Sequence, residues 1–132
     1  MSHTISPEKK VLVGVDALAS IDPELLEDSY VYVHCSFLIP SPDMLIRIWK
    51  TTVLKDCHSA GQSQLIHAEN ISYAPEWTMI PHSGTYSFLL IFNALPKSCV
   101  LFDLVEEIPQ PGGFLVRNIR RNKSDVYRVT LD

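Results

Sequence analysis

The sequence predicts an all-β domain, an antiparallel β-sandwich of about seven or eight strands with one short helical turn near residues 22–28. Three observations lead there. Residues 85–108 alternate apolar and polar side chains with a period of two, which is what a pleated strand needs to bury one face. No helical period is sustained over about eleven residues anywhere. Proline and glycine punctuate the chain at intervals of roughly 10–15 residues, the spacing of short strands and their turns. A closed barrel is the alternative. Polar outward faces, and Pro-rich corners read as crossings between sheets, favour the sandwich.

Residues 1–10 are polar and are expected to form a flexible amino terminus ahead of a single domain over residues 11–132. Residues 11–15 (VLVGV) read as a short edge strand. Asp22 at an N-cap, Pro23 at the first helical position and Glu24 in the first turn mark the brief helix. From 29 to 39, Val31, Val33, Cys35, Phe37 and Ile39 share one face, and Tyr30, Tyr32, His34 and Ser36 the other. Pro40 and Pro42 end that strand, because neither has an N–H to give a ladder. Residues 44–54 read as one strand, with Met44, Ile46, Ile48 and Leu54 on one side, Lys50 and Thr52 between them, and Leu45, Arg47, Trp49, Thr51 and Val53 on the other. A less regular strand follows over 63–73, then a short extended piece over 77–80. Pro81 and Gly84 frame a turn.

The centre of the chain is read as a hairpin over 85–108, with its turn at Leu95-Pro96-Lys97-Ser98. Tyr86, Phe88, Leu90, Phe92 and Ala94 share one face of its first strand. Val100, Phe102, Leu104 and Ile108 share one face of the second, where Glu106 is the exception. After the turn at Pro109-Gln110-Pro111-Gly112-Gly113, residues 114–119 and 126–131 form a last pair of strands.

The run Tyr73-Ala74-Pro75-Glu76-Trp77, then Gly84 before Tyr86-Ser87-Phe88-Leu89-Leu90-Ile91-Phe92, Leu95-Pro96-Lys97 and Phe102-Asp103-Leu104-Val105-Glu106, resembles a group of small bacterial domains of immunoglobulin-like β-sandwich fold. The resemblance covers roughly residues 30–131. It implies the immunoglobulin-like sandwich and no catalytic residue. Such domains are often exported, and the absence here of an amino-terminal export signal departs from that pattern.

A chain of 132 residues is expected to form one domain, burying roughly two-thirds of its unfolded surface. A hydrophobic content of 46%, 20% charged residues and a net charge of −4 fit a soluble globular protein and argue against generic nucleic-acid binding. No apolar run is long enough to span a membrane as a helix. Cys35, Cys57 and Cys99 form no CxxC pair, so they are expected to be reduced thiols in a cytoplasmic protein.

No constellation of catalytic side chains stands out, so the chain is expected not to be an enzyme and to need no cofactor or metal. His34 and His67 fall on strands, and with Glu69 they are the residues from which a catalytic cleft would be built. Cys57 and His58 are loop neighbours able to ligate a soft metal, although a solvated loop explains them as well. Glu106 and Glu107 are adjacent on a strand and point to opposite faces, which excludes them as a carboxylate pair. Glu106 is expected to lie beyond the core edge, since an unpaired buried carboxylate costs several kcal/mol.

Two surface readings remain. Tyr30, Tyr32 and Trp49 lie opposite their strands' apolar rows, as an exposed interaction patch suited to a homodimer or another protein partner, or as a second layer buried under residues 11–15 or the helical turn. Arg117, Arg120, Arg121, Lys123 and Arg128 place five of the eleven basic residues at one hairpin, with Asp125 the single acid among them. That hairpin is the candidate anion or nucleic-acid site. A solvated turn that protects an edge explains it too. The function expected is a non-enzymatic binding or interaction module that self-associates.

Overall fold

The computed structural model describes residues 30–131. The expected amino-terminal tail, the strand at 11–15 and the helical turn at 22–28 lie outside the described residues. Within them the chain is all-β: β1 (Val31–Ile39), β2 (Met44–Ile46), β3 (Thr52–Asp56), β4 (Gln62–Glu69), β5 (Thr78–Ile80), β6 (Gly84–Phe92), β7 (Leu101–Glu106), β8 (Leu115–Arg120) and β9 (Val126–Thr130).

Seven strands form one continuous sheet in the order β8-β7-β3-β4-β6-β1-β9, and β2 pairs with β5 as a separate ribbon. All neighbours are antiparallel except β9, which runs parallel to β1. This departs from two stacked sheets. The single sheet curls until its ends approach, nearly closing a barrel. The core shows why: one buried cluster draws on all seven strands, including Val33, Leu54, Leu65, Leu90, Phe102, Ile119 and Tyr127. A sheet that bends around its own apolar face needs no second sheet to cover it. Bulges between Leu65 and His67 on β4, and opposite Asp103 on β7, supply the extra bend and twist. At the second bulge Asn118 adopts φ 59°, and its N–H donates to Asp103 Oδ1 at 2.8 Å.

The alternation read from sequence places most side chains on the expected faces. Val100 and Ala94, expected on the apolar rows, instead lie in the connection between β6 and β7 and are exposed, Val100 at 62%. Val31, Val33, Cys35, Phe88, Leu90, Phe92, Phe102 and Leu104 all enter the core. Strand neighbours are another matter. The expected central hairpin does not exist, because β3 and β4 lie between β6 and β7. The connecting residues 93–100 cross the tip of the β3–β4 hairpin, where a Cβ on Gly61 would meet Pro96 Cγ at 2.7 Å. Three strand spacings amount to about 14 Å, which eight residues easily span. Residues 44–54 are likewise not one strand. They break at 49–51, where the Thr52 N–H and hydroxyl donate to Trp49 O at 3.0 and 2.6 Å.

The final two strands, expected to pair, lie at opposite ends of the sheet. Residues 121–125 bridge them through a clasp rather than a ladder. Arg121 donates to both carboxylate oxygens of Asp125 at 2.7 and 3.1 Å, and to the carbonyls of Pro96 and Cys99 at 2.9 and 3.2 Å. Tyr127 donates its hydroxyl to Asp125 at 2.8 Å, and its ring meets Phe102 of β7 edge-on at 5.0 Å.

Candidate functional site

The sheet closes at the clasp and opens at its other end. There, Phe114 before β8 and Leu131 after β9 line a cleft of about 360 Å³. Its floor is the end of the core, Phe37, Ile48 and Phe88. Its rim comes from the β2–β5 ribbon and the turn at 108–112. The ribbon is held by Ile46 and Ile80, which pack on Ile39 and against Phe37 and Tyr86. An Ile48–Tyr73 bridge extends the contact between the segments after β2 and before β5.

Arg47, between β2 and that bridge, brings a cation to the cleft. Its guanidinium lies 3.9 Å from the centre of the Trp77 ring and 5.3 Å from that of Trp49, within cation–π range of both. One Nη1–H reaches Pro75 O at 3.4 Å. Among the described residues Arg47 forms no ion pair. Stacking engages the face of the guanidinium and leaves its in-plane N–H groups available.

Glu106, at the end of β7, brings the acid. Its backbone is fixed by its N–H donating to Phe114 O at 2.9 Å, and the Phe114 N–H reaches its Oε1 at 3.4 Å. Burial pushes its carboxyl above the ordinary value, while the backbone N–H groups of Phe114 and Trp49 and the charge of Arg47 pull the other way. Gly113 permits this close approach, since a Cβ there would sit 2.2 Å from Glu106 O. Thr51 Oγ1 donates to Glu107 O, and Lys55 pairs with Glu107 at 2.5 Å, which ties the same corner to β3.

The residues singled out from sequence divide differently. Tyr30 and Tyr32 are buried in a second cluster with Leu89, Ile91 and Val126, so they present no open patch. Only Trp49 of that trio lines the cleft. Arg121 is turned into the clasp, and Arg117, Arg120, Lys123 and Arg128 are exposed. His34 and Glu69 both pair with Leu89, one from each side of β6. His67 contacts Glu69 there, and none of the three lines the cleft. Cys57 is exposed and donates to Asp103 at 3.4 Å; partial desolvation and the neighbouring acid raise its thiol pKa, the wrong direction for a nucleophile. Cys35 is fully buried, and burial pushes its thiol pKa far up.

Among the described residues no group of three or more His, Cys, Asp or Glu side chains is placed to hold a metal, and no helix is long and apolar enough to cross a membrane. Sequence reasoning missed Arg47 and Trp77. The available signal was Glu106, the one acid interrupting an apolar face. Comparison of the chain with family models, curated proteins and solved structures finds no match.

Proposed function

We propose that the chain is a non-enzymatic binding module that takes a small, largely apolar molecule into the open end of its curled sheet. The observation that carries this reading is the make-up of the cleft. An open, largely aromatic and aliphatic cleft of about 360 Å³ is lined by one cation, Arg47, and one half-buried acid, Glu106. Ligand pockets start at about 300 Å³, favour the mouths of β-barrels and use a few polar groups to orient an apolar body. Both tryptophans of the chain line it, so intrinsic fluorescence reports on this site directly. Titration with 1-octanol is expected to give a saturable change in tryptophan emission. A response that is absent or strictly linear, with octanol and with other eight-carbon probes, refutes the reading.

Self-association is a second reading, favoured by the outer face of the ribbon. Leu45 and Met79 face each other across β2 and β5, and with Trp77 they are each more than half exposed. Sedimentation velocity at micromolar concentration tests it, with a concentration-independent monomer as the contrary result. The anion-binding alternative has less support, because Arg121 is already committed to Asp125 and two carbonyls.

A further inference from the structure

We infer that the ligand of this cleft is a monocarboxylate with an apolar body, its carboxylate held by Arg47 and its body lying over Phe37, Phe88 and Phe114. This rests on the small-ligand reading above and names the chemistry of the ligand. Three features support it.

The first is the state of Arg47. Trp77 and Pro75 O fix the guanidinium in place, yet only one of its five N–H donors has a protein acceptor among the described residues. A preorganised planar fork lacking an acceptor suits a carboxylate, which accepts two parallel N–H bonds. The second is Glu106. Its carboxylate already accepts the Phe114 N–H, and it lies in the same cleft without forming an ion pair with Arg47 among the described residues. That leaves Arg47 to the ligand. The third is the floor, where Ile48 and Phe88 are buried core residues. No polar group there would be left unsatisfied by a hydrocarbon chain.

A cationic ligand on Glu106 is disfavoured, because Arg47 already places a positive charge in the cleft and lies over one face of each indole.

The test compares three probes of equal chain length, octanoate, 1-octanol and octylammonium, at neutral pH. It uses tryptophan fluorescence and calorimetry on the full chain. Octanoate is expected to bind about tenfold more tightly than octanol, with octylammonium the weakest. Arg47→Gln is expected to abolish the preference for octanoate over octanol, both probes being measured on that variant, and Arg47→Lys to retain part of it. Octanol binding as well as octanoate overturns the carboxylate assignment while leaving the cleft a ligand site. Octylammonium binding best also overturns it. Saturation by none of the three removes the underlying reading as well. If Arg47→Gln does not fold, the wild-type ranking of the three probes still decides the matter.

Discussion

Asp125→Asn tests how the curled sheet stays shut. No ladder joins β8 to β9, so the two ends are held by Arg121, Asp125 and Tyr127. The substitution keeps the shape of the side chain and its tolerance of the φ of 54° found at Asp125. It removes the charge and one of two acceptors for the Arg121 fork. A hydrogen bond to a charged group contributes about 1.5–3 kcal/mol. Arg121 and Asp125 side chains are only 19% and 13% exposed, so solvent screens the pair little. One such bond weakened and one lost, with a single amide contact retained, gives a destabilisation of about 2 kcal/mol. For a domain of this size that is a fall of roughly 6–10 °C in Tm. Urea unfolding followed by far-ultraviolet dichroism measures it. The control is Glu107→Gln, which breaks the Lys55 pair whose side chains are 37% and 50% exposed. Solvent makes such a pair worth less than about 1 kcal/mol. Equal losses for the two variants, or a loss below about 0.5 kcal/mol for Asp125→Asn, would refute the clasp as the closure of the sheet.

Three other outcomes are expected. Gly113→Ala forces a Cβ against the backbone oxygen of Glu106, and a contact of 2.2 Å requires the chain to move. It should cost about 1–3 kcal/mol in urea unfolding and weaken octanol binding, because Phe114 moves with it. Glu106→Gln addresses pH. Burial raises the folded-state pKa of Glu106 above its unfolded value, so between the two the native state holds the extra proton. Stability from this group is therefore lost as pH rises through that window, just above the ordinary carboxyl range. Relative to Glu106→Gln, the wild type should lose stability as pH rises from the ordinary carboxyl range into the region just above it, and parallel stability profiles would contradict the assigned burial. Phe102→Ala empties the centre of the core where the β7 and β9 faces meet, and should cost about 3–5 kcal/mol by chemical denaturation.

What the sequence made legible was the facing of side chains, because alternation is a local property. Val31, Val33 and Cys35 on β1, or Phe88, Leu90 and Phe92 on β6, point inward as their period of two requires. Which strands become neighbours is decided by connection geometry that alternation does not encode. Pro96 and its surroundings look like a hairpin turn, yet they carry the chain over the β3–β4 tip, and Gly61 makes room for them. Tyr30 and Tyr32 read as outward and are outward, but Leu89, Ile91 and Val126 form a second apolar layer with them, so outward did not mean exposed. The cleft was illegible for a related reason. Arg47, Trp77, Glu106 and Phe114 come from four separate stretches and meet only because the sheet curls. Glu106 broke the pattern of the central strands, and it marks the place where the core stops and a polar-rimmed opening begins. A charged residue on an otherwise apolar strand face is therefore better read as the edge of an opening than as an error in the alternation, provided another strand's backbone supplies the N–H that receives it, as Phe114 does here.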